Sequence, residues 1–447
     1  MSITLGSIRP ALEGAIPAVI ATCARDGTPN VSYVSEVHYV DEGHVALSFQ
    51  FFSKTRQNVL ENPRATVIVV HPATGAQYRL ALRYERTEES GALFECMKAK
   101  LAGIASQTGM TGVFRLRGAD VYRVDAVAEV YGTPIVPDSP AADYVGQLRR
   151  AVTRLAGAPD LSTLFDVLLD CVCRDLVISH AMVLMSDTAG DRLYTVASRG
   201  YAESGVGAEV RSGDGIIGAA ARARTPIRIS HATSEFGYGR AAREAAERRG
   251  LADRLAQEIP FPGLAESQSQ IAVPMLAGNR LVGVLFAEST TTGRFGYGEE
   301  DALCVLAAVV ANSTDLYETE SEPAAEEAGP AGATAGPTGP PLRLRRYAEN
   351  DSIFVDEEYL IKGVAGAILW RLVQGYVQER RTDYTNRELR LDPAIRLPDV
   401  SENLEARLVL LQRRLEERCP ALRIVKTGRG RFRLEVRRPL ALAEVRA

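Results

Sequence analysis

The segment that most constrains how this chain folds is 318–341, which reads ETESEPAAEEAGPAGATAGPTGPP. It has almost no large apolar side chains, so it cannot bury enough surface to fold by itself. Its Gly, Pro and Ala content is typical of a flexible tether. The sequence therefore predicts a flexible linker at 319–341. We expect the module that follows it to move independently of the rest.

Length and charge support a modular chain. A chain of 447 residues is too long to form a single hydrophobic core, so about three domains are expected. The formal net charge is -4, but from Pro341 onward 22 Lys+Arg face 16 Asp+Glu, a net of +6 that leaves -10 on the remainder. This asymmetry predicts a basic module attached to an acidic body.

Several function classes are disfavoured by composition. The six cysteines form no CxxC pair, which argues against a disulfide framework and favours a reducing compartment. The five histidines lack metal-ligand spacing, so no metal site is expected. No apolar run approaches about 20 residues, and no signal peptide is visible at the N-terminus. We expect a cytoplasmic protein with no membrane partner.

The N-terminal third alternates β-rich runs with Asp-Gly and Glu-Gly turns, which predicts a meander or small barrel. Ser53-Lys54-Thr55 precedes a short helical run that should stop at Asn62-Pro63. A helix N-terminus with a lysine and two hydroxyls suits a phosphate group. The same cluster is compatible with a solvated helix cap, which is the interpretation that the spacing alone favours.

The run PAVIATCARDGTPNVSYVSEVHYVDEGHVALSFQFFSKTRQNVLENPRATVIV resembles the pyridoxamine 5′-phosphate oxidase-like, FMN-binding split barrel. The pattern KTxxNVxxNPRA is its distinctive part, and the expected domain is 10–135. The resemblance implies an FMN cofactor held at a dimer interface. The sequence shows no arginine-rich substrate segment after the barrel. The resemblance therefore does not imply oxidation of pyridoxamine phosphate. The cofactor contacts it implies are Ser53, Lys54, Thr55 and Asn58, with Gln50 and Arg79 on adjoining strands.

The central third contains three motifs in order: GDGIIGAAARARTPIRI, IAVPMLAGNRLVGVLFAES, and Phe295 followed six residues later by Asp301. Together they resemble a GAF domain, an α/β sensor that binds a small molecule or dimerises, expected at 145–318. Within the second motif, Gly278-Asn279 predicts a hairpin turn, and Pro274 should lie at an edge or a bulge. The ligand stays unknown. Three aromatic residues either fringe the pocket or belong to the core: Phe236, Tyr238 and Phe261.

The C-terminal module begins with a hairpin around Asp356-Glu357-Glu358. A helix follows, then a capping box from Thr385 to Glu388, a helix after Ser401, and a β-wing. This order, with the closing IVKTGRGRFRL, resembles the winged-helix effector domain of bacterial response regulators, expected at 342–440. The resemblance implies that the third helix enters the major groove and the wing meets phosphates. The DNA contacts it implies are Arg407, Arg413, Arg414, Arg418, Lys426, Arg429 and Arg431.

A basic helix is also compatible with a solvated face or a protein contact. The fold class we expect is multidomain α+β: a split β-barrel, an α/β GAF sensor domain and a winged helix. The leading hypothesis is a cytoplasmic, homodimeric sensor and transcriptional regulator that couples a flavin or small molecule to DNA. The alternative is an FMN-dependent oxidoreductase with regulatory appendages, and a third interpretation is a structural scaffold. No catalytic residue stands out.

Overall fold

The computed structural model describes most of the chain. The described residues are 3–12, 16–34, 37–49, 54–72, 74–98, 116–130, 132, 144–187, 191–229, 259–264, 266–320, 337–395, 403–428 and 430–445. Most of the predicted linker lies outside them. Among these residues no helix is long and apolar enough to cross a membrane.

The N-terminal domain is a seven-stranded antiparallel sheet in the order β2-β1-β5-β6-β7-β4-β3. Strands β2 and β3 form its two edges, yet only residues 35–36 separate them in the chain. Two residues span too short a distance to join the edges of an open seven-stranded sheet, so the sheet curls into a barrel. Its elements are a 3₁₀ turn at Gly6–Leu12, β1 Ala18–Cys23, β2 Pro29–Val34, β3 Val37–Asp41, β4 His44–Phe49, α1 Lys54–Glu61, β5 Arg64–Val70, β6 Gln77–Glu88 and β7 Gly118–Val130.

Two β-rich runs of this domain form different strands than an uninterrupted pattern suggests. The run VSYVSEVHYV supplies both β2 and β3, at opposite edges of the sheet. Within the described residues, the last run forms one long strand, β7, which pairs with β4 and β6. The predicted stop of the short helix is confirmed, because α1 ends at Glu61, just before Asn62-Pro63.

The central domain is a six-stranded sheet in the order β10-β9-β8-β13-β12-β11. Helices α2, α3 and α5 cover one face, and α4 covers the other. Its elements are α2 Val145–Ala156, α3 Leu161–Asp170, a π-helical turn Cys171–Asp175, β8 His180–Ser186, β9 Arg192–Arg199, β10 Glu209–Arg211, α4 Gly215–Ala223, β11 Ile227–Ile229, β12 Ser269–Ala277, β13 Arg280–Ser289 and α5 Tyr297–Glu320.

The predicted hairpin is confirmed as β12 and β13, with Gly278 at a φ of 57° in its turn. The register shifts between Met275 and Leu276, immediately after Pro274. On its other side β12 pairs with β11 only over residues 270–272. Pro274 lies beyond this paired stretch, where its lack of an N–H costs no hydrogen bond to β11.

The C-terminal module has two sheets, in the orders β16-β15-β14-β20 and β17-β19-β18, around three helices. The predicted turn is confirmed: Asp356 and Glu357 both have positive φ, as a two-residue hairpin of this type requires. Its elements are β14 Leu342–Tyr347, β15 Ser352–Val355, β16 Glu358–Ile361, α6 Gly363–Glu379, β17 Asp383–Thr385, α7 Asn386–Leu391, α8 Leu404–Arg418, β18 Leu422–Gly428, β19 Arg431–Val436 and β20 Leu440–Val445.

The capping box of α7 is present in both directions between Thr385 and Glu388. Helix α8, predicted to follow Ser401, begins at Leu404 and is capped by Asn403, whose side chain accepts from the Ala406 amide. The last strand, β20, was not expected. It runs parallel to β14 and closes the module on itself.

The central domain and the C-terminal module share one continuous hydrophobic cluster. It runs from the α3 residues Leu164 and Leu168 to the α8 residues Leu410 and Leu411. The N-terminal domain has separate clusters. The expectation that the C-terminal module moves independently is therefore not what the structure shows. The predicted tether lies between two domains that pack against each other.

Candidate functional site

The first candidate site lies at the beginning of α1, where the sequence predicts phosphate binding. Thr55 Oγ1 accepts a hydrogen bond from Asn30 Nδ2 at 2.9 Å and lies 2.9 Å from Ser32 Oγ. Lys54 is exposed beside it at the first position of the helix. The result is a partly open cluster of hydroxyls, an amide and an ammonium at a helix N-terminus. Asn30 and Ser32 come from β2 and were not predicted.

Other predicted cofactor residues are placed differently. Asn58 is fully buried, and its Nδ2 donates to Thr22 Oγ1 at 3.1 Å, so it holds α1 against β1. Arg79 is exposed near the beginning of β6, between Ile68 of β5 and Ala128 of β7. Gln50 and Ser53 lie outside the described residues. The structure thus brings together Lys54 and Thr55 of the predicted set.

Next to this cluster, α1 is fastened to β7 by Arg56 and Asp120. The Arg56 guanidinium donates to the Asp120 carboxylate and, at 2.9 Å, to Thr87 Oγ1. It also lies 4.5 Å above the Phe49 ring. Burial raises the pKa of Asp120 even though Thr87 and Arg56 both favour its charged form. This network fixes the direction in which α1 leaves the barrel.

In the central domain, α4 covers a sheet face built from apolar side chains of β8, β12 and β13. Phe261 packs on that face with its ring centroid 6.4 Å from that of Phe286, so it joins the core at its margin. Phe236 and Tyr238 lie outside the described residues. Cys171 is buried at the end of α3, and burial raises the pKa of its thiol to about 11. Among the described residues no group of His, Cys, Asp and Glu side chains could hold a metal ion.

Another candidate site is the basic face of α8, which lies against the central domain. Arg413 donates from Nη2 to Asp166 Oδ1 at 2.8 Å and to the Ser162 carbonyl at 3.1 Å, and from Nη1 to the Val196 carbonyl at 3.3 Å. Its side chain is only 16% exposed. Arg413 therefore bridges α3 and β9 of the neighbouring domain.

Three more of the predicted DNA contacts meet the same surface. The Arg407 guanidinium carbon lies 3.7 Å from the centroid of the Tyr194 ring. Arg418 donates to Glu203 at 3.0 Å, and Lys426 Nζ lies 3.7 Å from Asp160 Oδ2. The acidic residues of this surface were not predicted as partners.

The remaining predicted DNA contacts do not belong to this face. Arg414 is buried inside its own module, where Nε donates to the Leu360 carbonyl at 2.8 Å. Burial, and then the neighbouring Arg418, lower its pKa. The expectation that Arg414 lines an exposed DNA-binding face is therefore wrong. Arg431 is half-buried in β19, and Arg429 lies outside the described residues.

Comparisons with known families agree with the first two domains. Residues 6–125 match the family model described as pyridoxamine 5'-phosphate oxidase. Residues 160–313 match the GAF domain model. The chain thus has a pyridoxamine 5'-phosphate oxidase-like N-terminal domain and a central GAF domain. A search of curated proteins found no match.

Solved structures that resemble parts of the chain include three of different kinds. The GAF domain of an Acinetobacter phosphoenolpyruvate-protein phosphotransferase is 19% identical over 37% of this chain and 89% of its own, with a TM-score of 0.29. An FMN-binding protein from Syntrophomonas wolfei is 16% identical over 28% and 84%, with a TM-score of 0.24. Free methionine-R-sulfoxide reductase from Neisseria meningitidis is 18% identical over 39% and 96%, with a TM-score of 0.30.

Proposed function

We propose that the chain is a ligand-responsive regulator whose GAF domain holds a basic output helix until a signal releases it. The observation that carries this proposal is the position of α8. Arg407, Arg413 and Arg418, the residues that would meet a nucleic acid, are occupied by Tyr194, Asp166 and Glu203 of the GAF domain. One face cannot bind DNA and the GAF domain at the same time.

The contact between α8 and the GAF domain consists of groups that can exchange one partner for another. Its polar groups are guanidinium and ammonium on one side and carboxylate and carbonyl on the other, the same acceptor chemistry that a phosphate backbone offers. Partly exposed ion pairs contribute modestly to stability, so a small change in the GAF domain can shift the balance. The apolar part of the contact, around Leu410 and Gly207, gives the docked state its register.

The winged-helix role of the C-terminal module belongs to this proposal. It is supported by the element order β17, α7, α8 and the closing hairpin β18–β19, which places a basic helix beside a wing. The experiment is a comparison of duplex-DNA affinity between the chain and a variant whose GAF surface no longer holds α8. Tighter, salt-dependent binding by the released variant supports the proposal, and equal affinity contradicts it.

The N-terminal domain would supply a second input by binding FMN. Support comes from the family match and from the donor set at α1, because an ammonium, two hydroxyls and an amide at a helix N-terminus fit a phosphate monoester. Lys54 and Thr55 would hold that phosphate, with Asn30 and Ser32 orienting the threonine hydroxyl. Bound FMN would supply redox chemistry. The chain's own residues would bind and orient it.

Replacing Lys54 with Ala should weaken FMN binding about tenfold, because one charge-assisted contact to a phosphate is worth roughly 1.4 kcal/mol. Titration with detection by flavin fluorescence measures this. Riboflavin, which lacks the phosphate, should bind both proteins equally. Lys98→Ala is the matched control, since Lys98 is an exposed lysine that pairs with Glu95 elsewhere in the domain. An equal loss of riboflavin affinity, or no FMN binding by the unchanged chain, would count against the site.

A further inference from the structure

The C-terminal module contains an open cleft between α6 and α7. Its volume is about 460 Å³, and small-molecule sites in proteins typically measure about 300–1,000 Å³. The described side chains that line it come from α6, from β17 with the turn before it, and from α7 with the residues that follow it. The cleft is therefore large enough for a small metabolite.

Two ion pairs form the polar part of the lining. Arg371 Nε donates to Asp392 Oδ2 at 2.5 Å, and Arg381 Nη2 donates to Glu388 Oε2 at 2.7 Å. Burial opposes the charge of both carboxyl groups, but hydrogen bonds, first of all from the arginines, lower the pKa of Asp392 and that of Glu388. The cleft thus presents positive and negative charge next to each other.

Both guanidinium groups are held in place before a ligand arrives. Arg381 also donates from Nε to the Asp383 carbonyl at 3.1 Å, and its guanidinium carbon lies 4.6 Å from the centroid of the Tyr384 ring. Arg371 is held through Nε, and a guanidinium carries further N–H groups on its Nη atoms. Because these groups are already ordered, they can donate to a carboxylate at a low entropic cost.

The rest of the lining is apolar. Leu389 and Tyr384 are buried, and the Tyr384 hydroxyl donates to the Leu372 carbonyl at 3.1 Å, so the ring is what this residue offers a ligand. Leu391 also lines the cleft and is 73% exposed. A ligand with an apolar part can remove this leucine surface from water.

The pattern of charges selects among classes of ligand. A simple anion would meet the carboxylates of Glu388 and Asp392, and a simple cation would meet the two arginines. A ligand that carries an ammonium group and a carboxylate on one carbon complements both signs. An apolar side chain on the same carbon complements the leucines.

We propose that this cleft binds a free α-amino acid with an apolar side chain, whose carboxylate is held by Arg371, whose ammonium group is held by Glu388 and whose side chain packs on Leu391. The inference goes beyond the proposed function, because it gives the C-terminal module a ligand site of its own. The site depends neither on FMN nor on the binding of α8 to DNA.

The test uses the full-length chain with leucine as the probe. Leucine should raise the unfolding temperature in a concentration-dependent way. 4-Methylpentanoate lacks the ammonium group, 3-methylbutylamine lacks the carboxylate, and glycine lacks the apolar side chain. In calorimetric titration each should bind at least about tenfold more weakly than leucine.

Two variants show whether leucine binds in the cleft. Arg371→Gln removes a positive charge and should lower leucine affinity at least about tenfold. Leu391→Asn changes an exposed position, so the fold should be kept, and it should lower leucine affinity about fivefold. Arg423→Gln is the matched control, because Arg423 is an exposed arginine of β18 outside the cleft, and leucine affinity should stay the same.

An unfolding temperature that leucine leaves unchanged overturns the proposal. Equal affinities for leucine and its two analogues with a single charge overturn it too, because the paired charges of the cleft would then select nothing. An unchanged leucine affinity in Leu391→Asn would mean that leucine binds elsewhere on the chain.

Discussion

Replacing Asp166 with Arg should raise the affinity of the full-length chain for duplex DNA about tenfold. The change removes the partner of Arg413 and sets two guanidinium groups against each other. Asp166 is 58% exposed, so the lost pair and the new repulsion together should cost about 1–2 kcal/mol of docking free energy. Because the GAF domain and DNA would compete for one face of α8, DNA binding gains what docking loses.

This variant leaves α8 unchanged, so it tests release without altering the proposed DNA contacts. Adding a positive charge to any protein strengthens its binding to DNA, and Glu266→Arg controls for that, since Glu266 is exposed and is not among the residues that contact the α8 arginines in the described part of the chain. Filter binding at several salt concentrations separates the two effects. If both variants gain equally, the gain is general electrostatics and release is contradicted.

Replacing Arg228 with Met should lower the unfolding free energy of the GAF domain by about 3 kcal/mol. Arg228 is almost completely buried on β11, where Nε donates to Glu300 at 2.9 Å and Nη1 donates to the Phe295 carbonyl at 3.0 Å. Its guanidinium carbon also lies 4.7 Å from the Tyr297 ring centroid. Methionine fills a volume similar to that of arginine. It cannot pair with Glu300, whose carboxylate is largely buried.

Arg9→Met provides the contrast. Arg9 joins the N-terminal domain to the GAF domain through Asp301 at 2.8 Å, but Asp301 is 59% exposed. Exposed pairs contribute under about 1 kcal/mol, so the same substitution there should change the unfolding temperature far less. Differential scanning calorimetry measures the unfolding temperatures of the two variants and tests this difference. Equal shifts would mean that the burial of Arg228 has no energetic consequence.

Local features of this fold follow from the residues that form them. The hairpin turn at Asp356-Glu357, the capping box from Thr385 to Glu388 and the position of Pro274 depend on neighbours within a few residues. Backbone conformation and short-range hydrogen bonds determine such features, so the sequence predicts them. The closure of the barrel depends on which strands pair with each other across the sheet. The alternation of apolar and polar residues within each strand does not determine this pairing.

The interactions at the candidate sites were less predictable because their partners are distant in sequence. Arg413 and Asp166 are 247 residues apart. The burial of Arg414 depends on a distant contact of the same kind. At about 100° per residue, Arg414 shares a helix face with Arg407 and Arg418, so the helical period alone does not separate it from them. The carbonyl that accepts from Arg414 belongs to Leu360 of β16, 54 residues away in the chain.

The buried carboxylate of Glu288 in β13 left a signal in the sequence. It ends an apolar strand at a position whose alternation matches Phe286, which places it on the inner face. A charged residue at such a position calls for a partner. Its hydrogen-bond partners, the Leu264 amide and the Gln270 side chain, are 24 and 18 residues away, and the strand register places Gln270 opposite it.

Zero-length carbodiimide cross-linking of the full-length chain, with the linked peptides identified by mass spectrometry, tests the central claim most directly. Lys426 lies 3.3 Å from Glu405 within its own module and 3.7 Å from Asp160 of the GAF domain, and Lys362 lies 3.4 Å from Glu209. A docked module predicts all three links: Lys426–Glu405, Lys426–Asp160 and Lys362–Glu209. Recovery of the Lys426–Glu405 link without either of the other two would contradict docking, and with it the proposed restraint of α8.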